Sequence, residues 1–222
     1  MADEIRTVPS PIADPAPLGL AAFALTTFLL SAINAGWATN ATGFSWWGFA
    51  IAYGGIIQLL AGMWEFRNRN VFGATAFATY GGFWIGVGLW LHFVAGPVAA
   101  TAGVAVDRVL AWILLAFAIF NTYMLIISTQ VNAAVFGVFL TLEVTEILLF
   151  IGLFTTKTPI LPPHTAGLVR AGGYVGVLTA LVAWYASAAG VMNGHTGQTI
   201  VPVGRPLLRL TPVPSSDEAA RV

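Results

Sequence analysis

Two carboxylates stand inside a long apolar stretch of this sequence. Glu143 and Glu146 fall within residues 133–154, which are otherwise mostly aliphatic or aromatic. A spacing of three residues puts both side chains on one face of a helix. Ionisable groups inside a membrane are costly, usually face the protein interior and indicate a function. The pair therefore predicts a proton relay, an ion site, or two protonated carboxyls that bond neighbouring helices.

Uncharged polar side chains recur in other apolar stretches. The first stretch carries a stripe at positions i, i+3, i+4, i+7 and i+11, which is one face of a helix: Phe23, Thr26, Thr27, Leu30 and Asn34. Gln58 and Asn121 are amides in two later stretches. Such hydroxyls and amides suit either hydrogen bonds between helices or the lining of a polar pathway, and both interpretations remain open.

Several kinds of chemistry are excluded by missing residues. The sequence has no zinc-protease, nucleophile-elbow or phosphate-loop motif, and it has no cysteine. Lys157, the single lysine, falls between two apolar stretches, which excludes a buried Schiff base, and none of the three histidines is central in a stretch. We therefore expect no enzyme activity, no metal and no cofactor, which leaves transport, sensing or scaffolding.

Composition indicates lipid as the solvent of this chain. Of its 222 residues, 58% are hydrophobic and only 8% are charged, and the mean hydropathy is +0.83. Soluble domains have about 45–50% apolar and about 25% charged residues. Nine basic residues balance nine acidic ones, so there is no positive field for nucleic acid. The sequence predicts an integral membrane protein.

Six apolar stretches are each long enough to cross a bilayer as a helix: Leu18–Trp37, Trp47–Trp64, Phe72–Val94, Val109–Ser128, Ala133–Phe154 and Leu168–Met192. All twelve prolines lie outside them, and proline breaks helices. We predict an all-α membrane protein with six transmembrane helices in one bundle and both termini on the same side. Residues 1–17 would form an N-terminal cytoplasmic segment, 18–204 the transport domain, and 205–222 a disordered tail.

Basic residues predict the orientation of the bundle. Six of them fall on the side that carries both termini and three on the other side. Cytoplasmic loops carry an excess of Lys and Arg. We therefore expect cytoplasmic termini in a plasma or inner membrane.

A sequence motif opens the first apolar stretch. The string Asp14-Pro15-Ala16-Pro17-Leu18-Gly19-Leu20 resembles the N-P-A-P-L-G-L signature of the acetate uptake transporter family, the succinate–acetate permease type. Further matches follow in order, among them Tyr53-Gly54-Gly55, Phe72-Gly73 with Thr75-Ala76-Phe77 and Tyr80-Gly81, and Pro202-Val203-Gly204. The chain departs from the signature at Asp14, where the family usually has asparagine, and this adds a negative charge where an anion would pass.

This resemblance implies a function and a set of site residues. It implies a six-helix protomer assembled as a homo-hexamer, with a separate narrow path in each protomer for acetate and similar short carboxylates, including succinate. It also implies a hydrophobic constriction formed by Phe23, Tyr80 and Leu142. The match at Leu142 is the least specific of the three.

The expected mechanism follows from the lack of a central cation in this sequence. The N–H groups at the helix N-terminus after Pro17 could replace the water that hydrates the carboxylate. The polar lining could do the same. Alternatively, the substrate could cross as the neutral acid, which needs less hydration. The alternatives are a path for another small solute such as ammonia, and a membrane sensor or scaffold that transports nothing.

Overall fold

The computed structural model describes residues 12–37, 46–157 and 167–208. Within these ranges the chain is helical, without strands, and six helices are long and apolar enough to cross a membrane. These six spans are Ala16–Asn34, Trp47–Arg67, Val71–Val98, Val104–Ser128, Ala133–Thr155 and Gly167–Thr196. The predicted all-α, six-span fold is confirmed, and each observed span begins or ends within a few residues of its predicted stretch.

Two of the spans contain π-helical segments. Ala50–Ile57 lies inside the second span and Leu91–Ala95 inside the third. After Leu91–Ala95 the chain continues as the helix Gly96–Ala102, so Pro97 does not end the third span where the sequence suggested. Pro97 stands in the first turn of that short helix, directly after the π-helical segment.

Glycines set the close approach of the first and sixth spans. A Cβ atom on Gly173 would overlap the backbone of Asn34 and Ala35, and one on Gly176 would overlap the hydroxyl of Ser31. Small residues allow helix backbones to pack this closely in a membrane. The two spans therefore run along each other in van der Waals contact.

The start of the first span and the end of the sixth lie at the same end of the bundle. Ser187 Oγ donates a hydrogen bond to the carbonyl of Pro17 at 2.6 Å. A Cβ on Gly190 would stand 2.7 Å from the Pro17 ring. This end is called the terminal end below, because both ends of the described helical bundle meet there.

The chain folds back over the terminal end after the sixth span. Asn193 Oδ1 accepts hydrogen bonds from the backbone of Ile200 and Val201, and the carbonyl of Val203 accepts one from Ala134 N at 2.9 Å. Residues 205–208, the start of the predicted tail, continue along this surface, where Leu207 N donates to Thr129 O at 2.7 Å. The remainder of that tail and most of the predicted segment 1–17 lie outside the described residues.

Candidate functional site

A cavity of about 80 Å³ lies between the first, third and fifth spans near the terminal end. Each of these three helices contributes a row, or stripe, of side chains from one face to the cavity lining, which also includes Gln58, Asn70 and Val131. The stripes consist of Ala16, Leu20 and Phe23; Phe72, Gly73, Ala76, Phe77 and Tyr80; and Val135, Val138, Phe139 and Leu142. Because residues three or four positions apart lie on the same side of a helix, each of these sets forms one face toward the cavity.

The three stripes end at the residues that the resemblance assigned to a constriction. Going inward from the terminal end, Phe23, Tyr80 and Leu142 are the last lining residues of their helices, and all three are buried. The rings of Phe23 and Tyr80 meet edge to face, with centroids 5.6 Å apart. The structure thus brings together three side chains from three separate spans at the inner end of one apolar cavity.

A wider vestibule of about 320 Å³ adjoins the cavity at the terminal end. Ala16, Leu20, Asn70, Val131 and Val135 border both spaces. The vestibule carries polar side chains that the cavity mostly lacks, namely Asp14, Asn68, Asn70, Asn132 and Asn193. We call these two adjoining spaces together the recess, and its lining is less polar in the cavity than in the vestibule.

A hydrogen-bonded network lies behind Tyr80. The Tyr80 hydroxyl donates to Asn121 Oδ1 at 3.0 Å, and Asn121 Nδ2 donates to Glu143 Oε2 at 2.7 Å. Thr122 Oγ1 donates to the other oxygen of Glu143 at 2.8 Å. The network therefore joins the third, fourth and fifth spans, and Asn121 is its central member.

Glu146 lies next to this network and is almost fully buried. Its side chain is 3% exposed, and its Oε1 is 3.4 Å from the Tyr80 hydroxyl. Its Oε2 has no hydrogen-bond partner among the described residues. Glu146 is one turn beyond Leu142 on the fifth span, so this carboxyl lies deeper than the inner end of the cavity. The structure therefore brings both predicted carboxyl groups close to Tyr80.

The three polar side chains of the first-span stripe, Thr26, Thr27 and Asn34, are buried but do not line the cavity. Thr26 Oγ1 bonds back to the carbonyls of Ala22 and Phe23 at 3.0 and 3.2 Å, whereas Thr27 Oγ1 has no partner among the described residues. Asn34 is buried at the far end of the helix. Of the residues predicted as polar lining, Gln58 is the one that borders the cavity. Asn121 does not border the cavity but accepts a hydrogen bond from Tyr80, which does.

The motif at the start of the first span shapes the recess. Asp14 Oδ1 accepts a hydrogen bond from Ala16 N at 3.0 Å, and Pro15 occupies the N-cap position. The helix begins at Ala16 and Gly19 N donates to the carbonyl of Pro15 at 3.1 Å, so fewer free N–H donors remain after Pro17 than the sequence suggested. Gly19 faces Phe77, whose ring would stand only 2.6–2.8 Å from a Cβ at position 19. The motif therefore places the helix start against the cavity wall.

Several residues of this site were not predicted from the sequence. Phe72, Phe77 and Phe139 line the cavity, and Thr122 binds Glu143. Phe72 and Phe77 stand in the matched strings at helical spacing from Tyr80, which was the available signal. Thr122 gave none, because a threonine next to Asn121 is indistinguishable from one that bonds its own helix. Within the described ranges no group of three or more His, Asp or Glu residues could hold a metal ion.

Comparison with known proteins identifies the relatives of this chain. Residues 3–206 match the GPR1/FUN34/yaaH family. The chain belongs to this family. Acetate permease A of Emericella nidulans is 39% identical over 200 residues, which make up 86% of this chain and 65% of that protein. The chain thus spans just under two thirds of the length of this fungal relative.

Two further relatives are matched over a larger share of their own length than the permease of Emericella nidulans. The succinate-acetate/proton symporter SatP of Escherichia coli K12 is 30% identical over 197 residues, 87% of this chain and 96% of that protein. Ammonia transport outward protein 2 of Saccharomyces cerevisiae is 38% identical over 202 residues, 87% of this chain and 67% of that protein.

A solved structure supports the same grouping. The structure of the bacterial acetate channel SatP matches with a TM-score of 0.76 at 30% identity, covering 87% of this chain and 99% of that chain. The relatives named above are called a permease, a symporter, a channel and a transport protein. This chain is accordingly a multi-pass membrane protein of a transport family and not an enzyme.

Proposed function

We propose that this protein is a channel or permease for acetate and similar short carboxylates, with the path running through the interior of the bundle. The observation that carries the proposal is the recess that narrows from the vestibule to Phe23, Tyr80 and Leu142. The names of the bacterial and fungal relatives support acetate as the substrate.

Phe23, Tyr80 and Leu142 act as the constriction of this path. Hydrophobic constrictions in channels gate by excluding water, and the three side chains here are two aromatic rings and one branched aliphatic group. A short acid passes when these side chains move apart, whereas bulkier or multiply charged molecules are excluded. The filter therefore acts on size and charge.

The proposed substrate crosses the constriction as the neutral acid. Acetate carries the same carboxylate group as a glutamate side chain, whose reference pKa is about 4.3. Acetate is therefore mostly ionised near pH 7. Moving a bare charge into a low-dielectric interior costs several kcal/mol. Among the described residues no Lys or Arg lines the cavity, so protonation is the available way to lower this cost.

Glu143 and Glu146 form a proton relay for this step. The distance of 3.4 Å between Glu146 Oε1 and the Tyr80 hydroxyl supports the assignment, because one side chain belongs to the constriction and the other lies behind it. The chain of hydrogen bonds through Asn121 connects the same hydroxyl to Glu143. Thr26, Thr27 and Asn34 continue the polar lining on the far side of the constriction.

The remaining features of the proposal concern assembly and orientation. We assign the protein to a plasma or inner membrane, with cytoplasmic termini because basic residues are in excess on that side. Segment 1–17 precedes the transport domain 18–204, and 205–222 follows it as a tail. A homo-hexamer with one path in each protomer, and succinate as a further substrate, complete the assignment.

An uptake assay tests the proposed function. Purified protein in sealed liposomes is given labelled acetate, either with an imposed pH gradient or with an imposed voltage. We expect protein-dependent acetate entry that follows the pH gradient. Entry that follows voltage alone would assign an anion channel without proton coupling, and no entry at all would leave a sensor or scaffold.

Ammonia is the second candidate substrate. The yeast relative named for ammonia transport, at 38% identity, favours it, and an apolar constriction also suits a small neutral amine. Competition experiments separate the two: ammonium but not propionate would inhibit an ammonia path, and propionate but not ammonium would inhibit the acetate path.

A further inference from the structure

Gln58 places an unused hydrogen-bonding group at the inner part of the cavity. It begins the α-helical part of the second span, directly after the π-helical segment Ala50–Ile57. The side chain is 1% exposed and borders the cavity together with Phe23 and Tyr80. Its Oε1 has no hydrogen-bond partner among the described residues.

Within the described part of the chain two other polar side chains border this cavity, and both already hold protein partners. Tyr80 donates its hydroxyl hydrogen to Asn121. Asn70 Oδ1 accepts from Gly73 N at 3.0 Å and caps the third span. Gln58 is therefore the lining side chain with an unpaired acceptor for a molecule in the cavity. A buried acceptor without a partner costs free energy that a bound donor would recover.

An amide group distinguishes an acid from its anion. It has one acceptor oxygen and an NH₂ donor, so it can form two parallel hydrogen bonds with a protonated carboxyl, which also has one donor and one acceptor. An ionised carboxylate has acceptors only. It would satisfy the NH₂ group of Gln58 and leave the unpaired oxygen without a donor, in an otherwise apolar space. Turning the amide over exchanges the two bonds and leaves this preference unchanged.

We propose that Gln58 is the binding site for the protonated head group of the substrate and selects it over the carboxylate on the terminal-end side of the constriction. The ligand class is a small planar molecule with one donor and one acceptor on the same carbon, such as a neutral carboxylic acid or a primary amide. The proposal rests on the proposed function for its biological ligand, whereas its chemistry can be tested with a molecule that does not ionise.

Acetamide is that probe. It has nearly the shape of acetic acid, carries an N–H donor and a carbonyl acceptor, and stays neutral at any working pH. Methanesulfonate, which is always ionised and has acceptors only, is the matched counter-probe. The first measurement is binding of acetamide to the purified protein in detergent, by saturation-transfer NMR. The second is inhibition of labelled acetate uptake into liposomes by either probe at one fixed pH.

The decisive variant is Gln58→Met, which keeps the length of the side chain and removes its hydrogen-bonding groups. We expect its acetamide affinity to fall about tenfold, as for the loss of a hydrogen bond to a buried group. Gln58→Asn keeps the amide but withdraws it by one methylene, and we expect a smaller loss. Gln198→Met is the control, since Gln198 is exposed on the chain beyond the sixth span, and its acetamide binding should equal that of the unaltered protein.

Two results would overturn the assignment of Gln58. One is equal acetamide binding in Gln58→Met and the unaltered protein; the other is competition by methanesulfonate as strong as that by acetamide. Should Gln58→Met not fold, the Gln58→Asn variant decides, and unchanged acetamide affinity in it rejects the proposal. The binding measurement does not depend on transport, so a protein that binds acetamide through Gln58 but moves no acetate would contradict the proposed function alone.

Discussion

The hydroxyl of Tyr80 donates a hydrogen bond to Oδ1 of Asn121 at 3.0 Å, across the contact between the third and fourth spans. The same ring forms the inner end of an apolar cavity, and the same asparagine holds Glu143 at 2.7 Å. One bond therefore links the surface that a substrate would meet to a carboxyl group on another helix. Movement of the Tyr80 ring would therefore change the hydrogen bonding of the Glu143 carboxyl group.

Removing this hydroxyl should destabilise the protein while leaving the ring in place. In Tyr80→Phe, Asn121 loses its buried donor, which costs about 1–3 kcal/mol. For a chain of this length, we expect a drop in the unfolding midpoint of roughly 2–4 °C for each kcal/mol, measured by thermal unfolding in detergent. Tyr123→Phe, at a half-exposed position of the fourth span, should lower the midpoint much less. Equal midpoints for the two variants would contradict a stabilising role for the Tyr80–Asn121 bond.

Neutralising Glu146 should uncouple protons from substrate. Glu146→Gln keeps the size of the side chain but cannot release a proton, so we expect acetate-driven proton entry into liposomes to fall severalfold, with acetate binding retained. A pH-sensitive dye inside the liposomes measures the entry. Glu65→Gln is the matched control, because Glu65 is a buried carboxyl bonded to Asn68 at the end of the second span and outside the network. If proton entry is unchanged in Glu146→Gln, the carboxyl pair is structural.

Shortening Leu142 should admit larger acids. Leu142→Ala removes three carbons from the inner end of the cavity, and uptake of butyrate relative to acetate should rise severalfold. Loss of a buried leucine also costs about 2–5 kcal/mol, so uptake is compared per folded protein. Leu140→Ala, on the outer face of the same helix at 43% exposure, should leave the butyrate-to-acetate ratio unchanged. An unchanged ratio in Leu142→Ala as well would remove Leu142 from the constriction.

Adding a methyl group at Gly19 should narrow the recess from the side. The new Cβ would lie 2.6–2.8 Å from the ring of Phe77, so the ring must move within the cavity wall. We expect Gly19→Ala to reduce the rate of acetate uptake, measured as the initial slope in liposomes. Gly82→Ala serves as the control, since no atom lies within 4 Å of a Cβ at that position. A rate equal to that of the control would contradict this prediction, because it would mean that the Phe77 ring moves aside without narrowing the recess.

The described helices could be predicted from the sequence because each signal is local. Twenty apolar residues in succession need a bilayer or a core, whatever the rest of the chain does. The third span was placed less well, since Pro97 follows a π-helical segment and continues the helix instead of ending it. A hydropathy pattern does not distinguish a proline in the first turn of a helical segment from one that stops a helix.

The candidate site was predicted in part. The family motifs predicted Phe23, Tyr80 and Leu142 as site residues, and the structure places these three side chains around one cavity. Helical spacing grouped Thr26 and Asn34 with Phe23 on the first span, yet Thr26 bonds to its own backbone and neither of the two polar residues borders the cavity. Spacing along one helix shows which residues share a face, but it does not show which neighbour that face meets.

The sequence by itself determined the solvent, the number of spans and the residue types available for a path, because these follow from composition and local order. Only the tertiary structure decided that Gln58 keeps an unpaired oxygen beside the cavity whereas Asn121 is fully engaged. Both are amides in apolar helices, and nothing in their own segments distinguishes them. Their partners come from other spans, at distances of about 3 Å, and such contacts exist only once the helices have packed.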